Sequence, residues 1–447
     1  VPTGSEAANP RSSLRGFNPL LLWKRPTFTA ATVFLLILSG PPRLRIREAE
    51  ASLRGDVDWV VLLHIVVWAF AGLWVLCQIG MRFHAKRPLL RIRWPQILGF
   101  AMICGLAVSI TVSDAPALTA FKVYQMSVSM LFTQIFLERF GIGPTLKLLL
   151  WGSTLLCIAI ALCAFLAPDM VWTASDFNPE PSRLFGELIA QTGIVSVFAM
   201  ILLLTSVPKI WRALPLSLFA LFLVLLGLSL MRTAYVAILI FFLLILLKRP
   251  NIKPLLRFTY LLCGFVFLLG VYHRLPNVSE YRDPQTISTL SDRTGLWHYL
   301  ADVTFRQSPW FGLGYYSASR VYAPEYNPGL GTAHSMFLEV LAGGGIISFV
   351  PFLVLCISLS VYAARLLLSA KDRFSFAVST LFIATLLFGA MADEIDSGPV
   401  AMSFWCAVAI LPRLYESYWR RASRSSESST SDFLTLAGHS EQALSSQ

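Results

Sequence analysis

Charged residues are scarce in this sequence. Asp, Glu, Lys and Arg make up only 14% of its 447 residues, whereas about 25% is usual in soluble globular proteins. Hydrophobic residues make up 56%, and the mean hydropathy is +0.65. They are grouped in blocks of about 17–25 residues, the length that a helix needs to cross a bilayer. The scarcity of charge excludes an ordinary soluble protein and indicates an integral membrane protein with many spans.

Cysteine pairs with the spacing of metal ligands are absent as well. The seven Cys residues all lie in apolar blocks, and no two of them form a CxxC pair. The sequence therefore indicates neither a disulfide framework nor a zinc site. The net charge of +11 would suggest a nucleic-acid partner in a soluble protein. In a membrane protein this charge follows from the topology, and no nucleic-acid partner is expected.

The apolar blocks predict an all-α fold with about twelve transmembrane helices. The predicted spans are 26–40, 57–80, 95–113, 117–137, 148–167, 188–206, 214–230, 233–247, 255–271, 335–363, 374–391 and 399–411. They divide the chain into an N-terminal tail at 1–25, nine helices within 26–271, a polar loop at 272–334, three helices within 335–411 and a C-terminal tail at 412–447. The end of the C-terminal tail is rich in Ser and is predicted to be disordered.

Lysine and arginine indicate how these spans are oriented. If the N-terminus is cytoplasmic, the cytoplasmic segments hold 24 Lys and Arg residues and the opposite face holds 11, with Lys122 inside a span. Cytoplasmic loops of membrane proteins are enriched in Lys and Arg. Both termini are therefore predicted to be cytoplasmic, and the polar loop 272–334 is predicted to lie on the opposite side of the membrane.

The polar loop 272–334 is the only predicted soluble part that is large enough to form a pocket. Its middle is predicted to be helical, because Leu296, Leu300 and Val303 fall on one face of a helix. Trp297 adds an aromatic ring beside these leucines. This pattern favours a helix that lies along the membrane interface rather than one that crosses the bilayer.

Four arginines lie on or near the face of this loop, at the ends of predicted spans or within the loop itself. They are Arg183, Arg232, Arg293 and Arg320. Arg232 interrupts an apolar run with almost no loop around it, although a charge at such a depth costs ~2.5–3.5 kcal/mol. A guanidinium binds phosphate through two parallel hydrogen bonds and stays charged at any working pH, so an anionic partner is predicted. The alternative is an arginine that only marks the membrane boundary.

His334 ends the polar loop directly before a long apolar segment. An unperturbed imidazole, with a pKa of ~6.5, is able to take a proton from a hydroxyl at neutral pH. A general base is therefore one interpretation, and an interfacial His bonded to a neighbouring carbonyl is the other. Glu339 lies on a different face of an ideal helix and is not paired with His334.

Acidic residues form a rival constellation. Asp56 and Asp58 make a DxD motif before the second span, and Asp393, Glu394 and Asp396 form a second acidic cluster on the same predicted face. Two carboxylates are able to hold Mg²⁺ or Mn²⁺. Acidic residues are nevertheless expected in such loops, and no metal site is predicted.

Several of these segments together resemble the O-antigen ligase and polysaccharide polymerase superfamily. The resemblance lies in residues 231–234 (MRTA), 291–297 (SDRTGLW), 308–314 (SPWFGLG) and 333–341 (AHSMFLEVL). The order of about twelve spans, with one large loop before the third-last, is similar to that family as well. Ser335 and Met231 stand where the family more commonly has Asn and Ser, respectively.

The resemblance implies a GT-C-like glycosyltransferase of the bacterial inner membrane that is inverting and needs neither a metal nor another cofactor. It implies a donor glycan on undecaprenyl diphosphate and an acceptor hydroxyl on another glycan or on lipid A core, at the periplasmic face. In this interpretation His334 is the catalytic base, and Arg232 and Arg293 bind the diphosphate. The implied substrate-binding residues are Arg183, Arg320, Trp297 and Tyr316. The form of residues 293–297 slightly favours a polymerase for O-antigen or exopolysaccharide over a ligase.

Two other classes of function stay open. A transporter or flippase of a lipid-linked or anionic solute would use the same arginines, although transporters typically carry charges or broken helices near the membrane midplane. A metal-dependent glycosyltransferase would work through Asp56 and Asp58. In each case membrane lipid surrounds the protein.

Overall fold

A computed structural model of the protein describes ten segments of the chain. They are residues 25–40, 58–86, 92–173, 183–186, 189–206, 213–248, 293–327, 331–369, 372–391 and 395–420. Helices dominate these segments, as expected for a chain whose backbone polar groups must be satisfied within apolar surroundings.

The described helices are numbered here in chain order. They are α1 Arg25–Ser39, α2 Trp59–His84, α3 Trp94–Val108, α4 Pro116–Phe140, α5 Ile142–Leu166, α6 Thr192–Ser206, α7 Ala213–Ser229, α8 Arg232–Lys248, α9 Arg293–Gln307, α10 Ser317–Tyr326, α11 Met336–Ser369, α12 Arg373–Met391 and α13 Gly398–Arg420. Short 3-10 helices occupy Ser109–Val112 and Pro168–Met170. Two short antiparallel strands, β1 Trp172–Thr173 and β2 Arg183–Leu184, lie between α5 and α6.

The helices coincide with the predicted spans wherever the structure describes them. Only the ninth span, 255–271, lies outside the described residues. Within the described part of the chain, six helices are long and apolar enough to cross a membrane, and four shorter apolar helices accompany them. A multi-span, all-α membrane protein is thus supported, while the number of twelve crossings stays a prediction.

The helix predicted inside the polar loop is α9. Leu296 and Leu300 are buried on its inner face, whereas His298 is exposed. On the outer face, Arg306 pairs with Asp302 at 2.9 Å. The periodic pattern of the sequence therefore located both the helix and its buried side.

Ion pairs join the helices at one end of the bundle. Glu138, near the end of α4, pairs with Arg82 of α2 and with Arg413 of α13. Arg93, directly before α3, pairs with Glu416 of α13 at 2.7 Å. These residues come from segments that the sequence assigns to the cytoplasmic side. Their ion pairs place these segments at the same end of the bundle.

Segments assigned to the opposite side meet at the other end, which is called the site end below. Tyr322 of α10 bonds to Asp114 of the α3–α4 connection at 3.3 Å. The hydroxyls of Ser113 and Ser317 are 2.7 Å apart. The site end therefore unites α9 and α10 with the connections between the membrane helices.

The helix α11 is broken at Gly345, which has φ +57° and ψ −160°. Backbone groups released by the break bond to the loop after α9: Leu313 N–H donates to the carbonyl of Ala342, and Ile346 N–H donates to the carbonyl of Pro309. Only glycine adopts such a backbone conformation readily. The predicted span 335–363 is thus two helical pieces, and the first piece is tied to the polar loop.

Candidate active site

His334 lies in a left-handed turn immediately before α11. Its φ of +51° is unusual for a residue with a side chain. Such a conformation costs about 1–2 kcal/mol and persists only where the surrounding structure imposes it. The imidazole-bearing residue is partly exposed, while its neighbours Ala333 and Ser335 are buried. The side chain of His334 therefore lies at the surface of the site end, while the residues on either side of it are buried.

Both backbone polar groups of Ala333 are held by side chains. The Ala333 N–H donates to Oε1 of Glu339 at 3.1 Å. The Ala333 carbonyl accepts a hydrogen bond from Nε1 of Trp297 at 2.9 Å. Trp297 belongs to α9 and Glu339 to the first turns of α11, so two helices fix the residue that precedes His334.

Arg293 is the first residue of α9 and lies one helical turn before Trp297. Its guanidinium donates a hydrogen bond to the carbonyl of Met391, the last residue of α12. In the same region Gly389 of α12 packs against the side chain of Met336, two residues after His334. The starts of α9 and α11 and the end of α12 therefore converge, which brings Arg293 into the neighbourhood of His334.

Arg320 lies on α10, and its guanidinium packs against Gly331, three residues before His334. Its guanidinium donates a hydrogen bond to Oη of Tyr316 and lies 4.8 Å from the centre of that ring. Nζ of Lys122 lies 4.0 Å from the same ring centre and pairs with Asp396 at 2.6 Å. Tyr316 is only 7% exposed. The structure thus shows its ring as a partner of two cations, and its contact with a sugar stays a prediction.

Arg183 and Arg232 meet at the short connection between α7 and α8. Nε of Arg183 donates to the carbonyl of Ser229 at 3.0 Å, and its guanidinium lies over the ring of Phe185. The connection turns at Leu230, which has φ +48°. Arg232 then starts α8 and is exposed. Two arginines and a helix N-terminus thus lie near one another, a combination that favours anions.

The connection that carries Arg232 also belongs to the site end. Gly193 of α6 packs against Met231. One and a half turns further along α6, Phe198 packs against Phe388 of α12 with ring centres 5.6 Å apart. Arg232 therefore starts its helix close to the end of α12, the same end that accepts the hydrogen bond from Arg293.

Comparison with known families identifies the segment that holds these residues. Residues 217–353 match the O-antigen ligase family. A comparison with curated protein sequences gives no match. The resemblance to the O-antigen ligase and polymerase superfamily is thereby confirmed. The match supports a membrane glycosyltransferase with a role in surface polysaccharide biosynthesis.

The O-antigen ligase segment, residues 217–353, contains nearly all of the predicted site. Of the seven predicted site residues, His334, Arg232, Arg293, Arg320, Trp297 and Tyr316 lie inside it. Arg183 precedes the segment but contacts it through Ser229.

Three residues with central contacts were not among the predicted site residues. They are Glu339, Lys122 and Asp396, which are all ionisable residues at the site end. Glu339 is fully buried and also interacts with Ser319, Arg320 and Asp396. The signal for Glu339 in the sequence was an acidic residue inside an apolar helix. The sequence did not show that its side chain accepts a hydrogen bond from the backbone of Ala333.

The acidic residues of the rival constellation have structural partners where they are described. Asp58 accepts a hydrogen bond from the N–H of Val61 at 2.9 Å and so caps α2. Asp396 pairs with Lys122. Among the described residues, no group of three or more His, Cys, Asp or Glu is suited to hold a metal ion. Asp56, Asp393 and Glu394 lie outside the described residues.

Proposed function

We propose that this protein transfers a glycan from undecaprenyl diphosphate to a sugar hydroxyl at the periplasmic face of the bacterial inner membrane. The acceptor is another lipid-linked glycan, for a polymerase, or lipid A core, for a ligase. The observation that carries the proposal is His334 in its left-handed turn, beside the helix that begins with Arg293, within the segment that matches O-antigen ligases.

The proposed reaction is a single displacement at the anomeric carbon. His334 takes the proton of the acceptor hydroxyl, whose oxygen forms the new glycosidic bond. The bond between the anomeric carbon and the phosphate oxygen breaks, and undecaprenyl diphosphate leaves with the electron pair. Because the acceptor attacks opposite the leaving group, the configuration at the anomeric carbon inverts.

The arginines serve the leaving group in this proposal. Negative charge develops on the diphosphate as it departs, and fixed positive charge stabilises it in the transition state. Arg232 and Arg293 are assigned to this role, because both begin helices at the site end. Arg183 lies near enough to the start of α8 to add a third cation. The remaining proposed contacts, from Arg320, Trp297 and Tyr316, lie on the side of His334 and are assigned to the acceptor.

The proposed function is tested with purified protein in lipid nanodiscs and lipid-linked repeat units as substrate. Wild type is expected to make longer or transferred glycans, and His334→Ala is expected to reduce the rate by about 10²–10⁴-fold. Arg293→Ala is expected to be similarly impaired. Arg306→Ala is the matched control, because Arg306 lies on the same helix but its side chain is 77% exposed.

Each rival function predicts a different result in that assay. Full activity of His334→Ala would refute the base assignment. Loss of activity with EDTA, together with inactivity of Asp56→Ala, would favour the metal-dependent transferase, whereas the proposed mechanism predicts no effect of EDTA. Movement of an intact lipid-linked glycan across liposomes, without any transfer, would favour a flippase. Supplying lipid A core or only repeat units separates a ligase from a polymerase.

A further inference from the structure

We propose that Trp297 and Glu339 are positioning residues that hold the base His334 in its working orientation. This inference rests on the proposed function. It assigns to Trp297 a role other than stacking on a sugar, and it assigns a role to a buried carboxylate that the proposed mechanism does not otherwise use.

One of the two contacts is made to the peptide that joins Ala333 to His334. The orientation of this peptide relative to the His334 side chain is the φ angle of His334, which is +51°. Nε1 of Trp297 donates to the oxygen of this peptide at 2.9 Å. The indole of Trp297 therefore fixes the orientation of this peptide plane, and with it the direction in which the imidazole of His334 points.

The other contact is made to the N–H of Ala333, on the opposite side of that residue. It donates to Oε1 of Glu339 at 3.1 Å, and the backbone N–H of Glu339 donates to the carbonyl of Ser335 at 2.9 Å. Glu339 thus spans the turn, with one hydrogen bond before His334 and one after it.

The backbone groups that these two contacts hold are buried. Ala333 and Glu339 are both 0% exposed. Water cannot replace a hydrogen bond at such groups, and a buried backbone group without a partner is strongly disfavoured. Loss of the side chain of Trp297 or of Glu339 is therefore expected to change the conformation of the turn at His334.

The consequence is a specific kinetic signature. A positioning residue acts on the proton transfer, so its loss lowers kcat and leaves KM for the acceptor glycan nearly unchanged. A residue that stacks on a sugar acts on binding, so its loss raises KM instead. Trp297→Phe separates the two roles, because phenylalanine keeps an aromatic ring but has no N–H to donate.

The test compares variants of Trp297 and Glu339 with a control on the same helix. Trp297→Phe is expected to lower kcat by about 10-fold to 100-fold, the effect of a displacement of about 1 Å at a catalytic group. Glu339→Met, which has no oxygen acceptor, is expected to match it, whereas Glu339→Gln keeps an acceptor and recovers most of the rate. Tyr299→Phe is the control, because Tyr299 donates to Glu325 at 3.0 Å, away from Ala333, and it is expected to keep the wild-type rate.

The outcomes distinguish this inference from the proposed function. If His334→Ala is inactive but Trp297→Phe keeps its kcat, or only its KM rises, the positioning role is wrong and the base assignment stands. If wild type transfers no glycan, both are wrong. If Trp297→Phe fails to fold, the comparison of Glu339→Gln with Glu339→Met decides, and equal loss in both overturns the inference. A rate for Tyr299→Phe as low as that of Trp297→Phe would show a general effect on α9 and overturn it too.

Discussion

The backbone at His334 makes a prediction about stability that does not depend on catalysis. The φ of His334 is +51°, a region that costs an L-residue about 1–2 kcal/mol and costs glycine nothing. His334→Gly and His334→Ala both remove the imidazole, so the difference between them reports on the backbone alone. Glycine adds freedom to the unfolded chain, which offsets about 0.4–1 kcal/mol of the gain. His334→Gly is therefore expected to be more stable than His334→Ala by about 1 kcal/mol.

The assay is thermal unfolding of both variants in the same detergent, beside a control pair at Ala301. Ala301 lies inside α9 with a helical backbone, where glycine destabilises by about 0.5–1 kcal/mol. Ala301→Gly is therefore expected to lower the melting temperature, while His334→Gly melts above His334→Ala. If His334→Gly melts at or below His334→Ala, the left-handed turn is not part of the folded protein, and the proposed orientation of the base is wrong.

Two further predictions concern the packing around this turn. Gly343→Ala would place a Cβ 2.5 Å from the Cα of Tyr315, so it is expected to detach the loop after α9 from α11 and to lower stability and transfer together; Gly80→Ala, with nothing within 4 Å, is its control in a thermal unfolding experiment. Lys122→Met leaves Asp396, which is 2% exposed, as a buried charge without its ion-pair partner and is expected to cost about 3–5 kcal/mol. Adding Asp396→Leu to Lys122→Met is expected to restore much of that loss, and a double variant as unstable as the single one would contradict this explanation.

The sequence predicted the apolar helices that the structure describes, because the signal for them is local. A block of apolar residues of a given length forms a helix in an apolar environment whatever its neighbours are. The face of α9 was predictable for a similar reason, since Leu296 and Leu300 repeat with the helical period. The motif around His334 indicated a resemblance to the O-antigen ligase and polymerase superfamily, which the match over residues 217–353 confirms.

The break in α11 was not predicted from the same pattern. Residues 335–363 form one continuous apolar block, and hydropathy does not distinguish a straight helix from a broken one. The three glycines at 343–345 permit the break, but its hydrogen-bond partners belong to the loop at 309–314. A glycine cluster alone is equally consistent with close helix packing, so only the contact with that loop decides the backbone conformation.

The sequence by itself determined where the described apolar helices and α9 lie, which family the chain resembles and which residues are candidates for chemistry. The tertiary structure decided which partners those residues have. Trp297 and Ala333 are 36 residues apart and Lys122 and Asp396 are 274 apart, and no local pattern encodes such pairs. A hydrophobic block determines the structure of one helix only. A hydrogen bond or ion pair between distant residues forms only after packing has brought their atoms within about 3 Å of each other.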